Sequence, residues 1–397
     1  MSEFQTKQTK TELSTSKKVI ILVLVFLGGW LFGAGQMNFK ANKSTTQKSL
    51  PSNLNYADVE RVYDELRSNY DGDLDVNKLM DGLKEGLVAA SGDPYTEYMS
   101  PDKAKDFSGQ LNGTFEGIGA YLGKNDQGNV IVISPVDGFP AEKAGLQPRD
   151  VIVAIDGKDS TAYSVDQAVE KIRGPKGTNV KLRVIRNSKE DLSFDIKREQ
   201  INIPSVESKV INNNIGYIKI SRFGDDTSAL ARKAAEKFKA DGVQKVILDL
   251  RGNPGGYLDS AVDVSSLWLK DKTVLTERRD GVTIKTYKTR GSAPLLGIPT
   301  IVLIDEGSAS ASEITAGALR DNNAATLIGV KSFGKGSVQQ PQNLDNGGIL
   351  KVTVARWYTP GGKNIDKQGI QPDKKVEISV DDIKAGRDPQ LDAAISQ

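Results

Sequence analysis

The sequence predicts an α/β core of alternating strands and helices, a smaller mixed α and β domain before it, and a helical region at the front. A single membrane-crossing helix stands ahead of all three. Three observations carry this. Across residues 201–397, short apolar runs alternate with helical patterns, the signature of a layered α/β core. Across 109–200, four strand-like runs and one helical run are parted by turns rich in glycine. Residues 19–35 form an apolar run with no charge.

Composition narrows the chemistry. At 397 residues, two or three domains are expected. The formal net charge of +2 gives no reason to expect a nucleic-acid partner. The chain has no cysteine and no histidine. Disulfides, a Ser-His-Asp triad, a Cys-His pair and a histidine-held metal are therefore impossible within one chain.

Taken in order, residues 1–18 are polar and carry Lys7, Lys10, Lys17 and Lys18. As a helix, the apolar run that follows rises about 25 Å, slightly short of the hydrocarbon core of a bilayer. The lysines before it predict a cytoplasmic tail over 1–18, a single-pass anchor over 19–36, and the rest of the chain outside the cytoplasm at the cell membrane. Gly33-Ala34-Gly35 also suits the cut site of a removed signal peptide, the competing expectation. Residues 37–55 read as a polar linker.

Residues 56–108 read as the helical region. Val59, Val62, Tyr63 and Leu66 make one apolar face; Leu79, Leu83 and Leu87 make another. Such faces leave a homodimer open. Asp71, Asp73 and Asp75 have the spacing of a calcium loop, but no glutamate ends it, so a capped helix–loop–helix is expected instead. Residues 92–98, Gly-Asp-Pro-Tyr-Thr-Glu-Tyr, form a tight turn with aromatics.

In the domain at 109–200 the strand candidates are 117–122, 130–133, 151–155 and 180–186, with a helix at 165–172. This stretch resembles a PDZ domain, with Gly117-Ile118-Gly119-Ala120 where that family has its carboxylate-binding loop. Successive backbone N–H groups in a glycine loop form a nest for a C-terminal carboxylate, and the adjacent strand edge can pair with a peptide.

The core from 201 to 397 shows a strand at 215–221, a helix at 228–240 and a buried strand at 245–250. That strand ends in Leu250-Arg251-Gly252-Asn253-Pro254-Gly255-Gly256. Such a turn frees backbone N–H groups for an oxyanion, and equally for any anion. A strand at 301–304 leads through a polar turn to Ser308, Ser310 and Ser312 at alternating positions, then a helix at 312–320. A strand at 325–330 leads to Phe333-Gly334-Lys335-Gly336. One of the serines is a candidate nucleophile at the mouth of a helix. Its base must be Lys, Asp, Glu or Tyr. A lysine with its ordinary pKa of about 10.4 is neutral in only roughly one copy in a few thousand at pH 7. Lys335 therefore has to be desolvated or set among like charges to serve.

Together these motifs resemble the C-terminal processing peptidases, the tail-specific serine proteases of family S41, over roughly residues 56–395. The residues that carry the resemblance are Leu250 to Gly256, then Gly307-Ser308-Ala309-Ser310-Ala311-Ser312-Glu313-Ile314, then Phe333-Gly334-Lys335-Gly336-Ser337-Val338-Gln339-Gln340. The resemblance implies a peptidase core with ClpP/crotonase-like layers and an inserted or preceding PDZ domain. It implies Ser310 as nucleophile, Lys335 as base and Gln339 orienting that lysine. The oxyanion donors would be the N–H of Ala311 and that of Gly256 or Gly255. It implies no metal or cofactor. Substrates would be proteins or peptides with free apolar C-termini, cut by acyl transfer. Arg173 matches a basic PDZ residue that couples tail binding to the active site.

Three rivals fall short. Gly329, Gly334 and Lys335 nearly spell a P-loop, but Gly336 stands where magnesium needs a hydroxyl. Ser332-Phe333-Gly334-Lys335 spells the Ser-x-x-Lys of penicillin-recognising enzymes, without the companion motifs. A membrane-tethered PDZ adaptor with an inactive core would not be expected to keep Ser310 and Lys335.

Overall fold

The computed structural model describes residues 53–125 and 127–397. The first described element, a helix over Ala57–Asn69, belongs to a unit of its own that ends at Leu74. It leaves Val62 and Tyr63 exposed. Among the described residues no helix is long and apolar enough to cross a membrane. The predicted tail, anchor and most of the linker, 1–52, lie outside the described residues.

The second unit runs from Asp75 to Gln397. Its first helix, Val76–Ala89, is capped by Asp75, whose carboxylate accepts from the N–H groups of Asn77 and Lys78. The acidic spacing thus marks a helix start, as the capped reading expects.

The core is a six-stranded sheet in the order Val206–Ile211, Ile215–Ile220, Lys245–Asp249, Thr300–Ile304, Thr326–Gly329, Lys374–Lys375. The first pair is antiparallel and all the others are parallel. Central strands of this kind are covered on both faces, which is why their sequences read as unbroken apolar runs. Val246, Leu248, Val302, Ile304 and Leu327 share a core with residues of the helices Thr227–Ala240, Leu258–Ser265 and Ala311–Asp321. Ile247, Ile301, Leu303 and Ile328 share a second core with the last helix, Pro389–Ser396. The alternation along each strand thus builds an α/β/α sandwich.

A second sheet lies beside it. Ile349–Tyr358 pairs with Ser337–Asn343, with Thr273–Arg279 and with a short strand, Glu97–Met99. The last of these comes from the stretch expected to be helical. Its few residues next to a turn carry too little period-2 pattern to mark a strand.

The smaller domain has its own sheet, Ala120–Lys124, Val130–Pro135, Val151–Ile155, Asn179–Arg186 and Glu190–Lys197, around a core that includes Ile118, Val132, Ile152, Leu182 and Ile196. The expected strand 117–122 is interrupted. Gly119 turns to φ 72°, so Thr114–Gly117 leaves to pair with Glu199–Asn202 and a new strand starts at Ala120. This two-stranded ribbon joins the domain to the core. At its base the Arg222 guanidinium donates to the carbonyls of Leu111, Asn112 and Ile203. The next residue, Phe223, donates to the Gly255 carbonyl and accepts from the Tyr257 N–H.

Candidate active site

Ser310 stands where the strand Thr300–Ile304 has turned and the helix Ala311–Asp321 begins. Its backbone is at φ 54° and ψ −112°, a region that L-residues avoid. Strain of this kind persists where the surroundings over-determine it. The three alternating serines separate cleanly. Ser308 and Ser312 are fully buried. The Ser308 hydroxyl donates to the Leu250 carbonyl and that of Ser312 to the Asn253 carbonyl, at 2.8 and 2.9 Å. Both tie the serine turn to the glycine turn. Ser310 alone of the three is partly exposed.

The glycine turn 252–256 packs against Ser310. A Cβ on Gly255 would meet Ser310 Cβ at 2.8 Å and Ala311 N at 3.0 Å. A Cβ on Gly256, at φ 143°, would meet the Phe223 carbonyl oxygen at 2.1 Å. Only glycine fits either place. The Gly255 N–H is taken by the Asn253 side chain at 2.9 Å. The N–H groups of Gly256 and Ala311 have no hydrogen-bond partner among the described residues. Unpaired donors of this kind, one of them at a helix N-terminus, are what an anion needs.

Lys335 follows the strand Thr326–Gly329 and is half-buried. Loss of water, reinforced by the Lys351 charge, pushes its ammonium below the ordinary lysine range; Glu313 and Asp93 oppose this more weakly. The desolvation asked of a lysine base is therefore present. Its Nζ lies 5.2 Å from the centre of the Tyr95 ring. Among the described residues no hydrogen bond joins Lys335 to Ser310 or to Gln339. The Gln339 amide donates instead to Ser337 Oγ at 2.8 Å and to Thr353 Oγ1 at 3.3 Å. A register shift between Val338 and Gln339 aims it there.

What joins the two halves of the site is Glu313, which sequence reading gave no role. It is 1 % exposed. Its Oε2 accepts from the Ser310 N–H at 2.8 Å and from the Lys335 N–H at 3.0 Å. Its Oε1 accepts from the Gly334 N–H at 2.7 Å and from the Ser332 hydroxyl. Burial raises its pKa against the pull of these four donors. The spacing Ser310-x-x-Glu313 is that of a capping box, a signal that could have flagged it.

In the smaller domain, Gly117, Ile118, Gly119 and Ala120 line a groove with Phe115, Arg173 and Ile203. The N–H groups of Ile118 and Gly119 have no partner among the described residues. The Arg173 guanidinium sits 4.9 Å over the Phe115 ring. It has no ion pair or side-chain hydrogen bond to the core among the described residues.

Comparison with known proteins gives the family and the domains. The sequence model of peptidase family S41 matches residues 214–376, a PDZ domain model matches 131–186, and that of the activating protease CtpB N-terminal domain matches 29–103. The carboxy-terminal processing protease CtpA of Bacillus subtilis (strain 168) is 37% identical over 93% of this chain and 78% of its own length. A probable CtpA-like serine protease of Staphylococcus aureus (strain COL) is 36% identical over 95% of this chain and 77% of its own. Among solved structures, the photosystem II D1 C-terminal processing protease is 26% identical, with a TM-score of 0.51 over 80% of this chain and 86% of that one. The chain therefore belongs to peptidase family S41, the carboxy-terminal processing serine proteases, with a PDZ domain between its N-terminal domain and its peptidase core.

Proposed function

We propose that the chain is a membrane-anchored endopeptidase in which Ser310 is the nucleophile and Lys335 the general base. The observation that carries the reading is the shared Glu313 oxygen, which sets the backbones of Ser310 and Lys335 side by side. Neutral Lys335 takes the Ser310 hydroxyl proton as Oγ bonds to the scissile carbonyl carbon. The N–H groups of Ala311 and Gly256 receive the oxyanion, each contributing about 3 to 4 kcal/mol in analogous sites. Lys335 then gives the proton to the leaving amine. Water repeats the sequence on the acyl ester and restores Ser310. Gln339 orients the base through the strand pair it sits in.

The substrates we propose are proteins with free apolar C-termini. The free N–H groups of Ile118 and Gly119 take the carboxylate and the apolar groove takes the last side chain. Arg173 couples the bound tail to the core through Phe115 and the ribbon, whose base is the Arg222 cluster beside the glycine turn. The run 19–36 anchors the chain with its catalytic part outside, the orientation favoured by the lysines before it. A second copy is the partner we propose for the apolar helix faces near the N-terminus.

Residues 37–397 should cleave an unstructured protein ending in apolar residues, and cleave it at least about tenfold more slowly when that C-terminus is amidated. Arg173→Ala should lower turnover without changing the unfolding midpoint. Equal cleavage of both tails would remove the recognition role, and unchanged turnover in Arg173→Ala the coupling role. Light scattering of the same sample reads the dimer. Fractionation of cells making the full chain reads the anchor, and a catalytic part found free of membranes contradicts it.

A further inference from the structure

We infer that Tyr95 is a positioning residue for the base: its ring face receives the ammonium that Lys335 becomes on taking the Ser310 proton. This rests on the Ser310–Lys335 reading above.

A buried base has a difficulty that burial itself creates. Loss of water makes Lys335 a better base when neutral, but the charge it gains in the reaction then lacks a hydration shell. Among the described residues the Nζ has no carboxylate at ion-pair distance and no hydrogen-bond acceptor. What lies against it is the Tyr95 ring, with its centre 5.2 Å away, inside the range at which the negative face of an aromatic attracts a cation. The other charges facing Lys335 are Lys351, which repels the ammonium, and Glu313 and Asp93, which favour it. Burial, helped by the charges of Asp366, Asp93 and Glu313, holds the Tyr95 phenol above its ordinary range.

The ring is held there by the rest of the site. The Tyr95 N–H donates to Asp93 Oδ1 at 3.2 Å, and the Thr96 hydroxyl donates to Asp93 Oδ2. Thr96 Oγ1 accepts from the Thr353 N–H at 3.1 Å. Thr353 Oγ1 accepts from Gln339 at 3.3 Å. Next along the chain, Glu97 sits opposite Lys351 in the strand pair and bonds its ammonium at 2.9 Å. The turn is thus fastened to the strand pair that leads out of the Lys335 loop, and to the contact of Gln339.

The test is the pH dependence of Ser310 labelling by a fluorophosphonate probe, from pH 6 to 10, on the full chain. Tyr95→Leu keeps apolar bulk and loses the ring face. Its rising limb should move to lower pH by about half a unit or more, because the charged lysine has lost a stabilising contact. Tyr95→Phe should hold the limb at the wild-type position, and Tyr95→Trp should move it to higher pH. Unfolding midpoints show which variants are folded, and Tyr95→Trp answers the question if Tyr95→Leu does not fold. A limb unmoved in both Tyr95→Leu and Tyr95→Trp, or Tyr95→Phe moving as Tyr95→Leu does, overturns the inference. Labelling that persists in Ser310→Ala, or a limb that persists in Lys335→Ala, overturns the underlying Ser–Lys reading instead, so the two failures are distinguishable.

Discussion

Glu313→Ala should lower kcat by at least about a hundredfold while leaving tail binding in the PDZ groove unchanged. The carboxylate is not expected to touch substrate. It accepts from the N–H groups of Ser310, Gly334 and Lys335 and from the Ser332 hydroxyl, all at one buried point. Removing it leaves buried donors unpaired, at about 1 to 3 kcal/mol each, and frees the serine turn and the lysine loop to part. Ser332 Oγ also accepts from the Ile370 N–H, so the slack extends to the loop behind. Glu313→Gln keeps the volume but turns an amide NH2 toward N–H donors. Its turnover should fall as well. It should also shift the Lys335 limb to lower pH, because Glu313 is one of the charges that favour the ammonium. Steady-state kinetics beside a tail-peptide binding isotherm checks this, and full turnover in Glu313→Gln contradicts it.

Gly256→Ala should cost about a hundredfold to a thousandfold in kcat, with a smaller change in KM. The alanine Cβ would sit 2.1 Å from the Phe223 carbonyl oxygen, at a φ of 143° that alanine avoids. The turn must move, and the one free N–H at its end moves with it. The same displacement loosens the bonds from Phe223 N–H to the Gly255 carbonyl and from Tyr257 N–H to the Phe223 carbonyl. Comparison of kcat with probe labelling separates a lost donor from a lost nucleophile: labelling of Ser310 should persist at a reduced rate. Wild-type kcat in this variant would place the oxyanion elsewhere.

Several features of this molecule were legible from residues alone. The buried strands 245–250 and 301–304 were visible because both faces of the sheet are covered, which leaves no polar positions to blur the run. Alternating serines left three nucleophile candidates by spacing alone. The structure separates them through burial, since Ser308 and Ser312 are turned inward onto carbonyls. The part that stayed hidden depends on contacts between distant segments. Tyr95 and Lys335 are 240 positions apart and meet only because Glu97–Met99 joins the edge of the second sheet. Arg222 carries no motif, and its place follows from three carbonyls on two distant segments, Leu111-Asn112 and Ile203. The strand expected at 117–122 overlooked a turn at Gly119, because glycine inside an apolar run signals its φ only once the chain is folded. Gln339 lies in a strand, as its surroundings suggest, and a bulge beside it decides what its amide touches.

The measurement that bears most directly on the account is the pH profile of tail-substrate cleavage by the wild-type chain, Ser310→Ala and Lys335→Ala. The account predicts no turnover in either variant, and a wild-type rising limb with its midpoint below the ordinary lysine value of about 10.4. Cleavage by Ser310→Ala, or the same limb in Lys335→Ala, would contradict it.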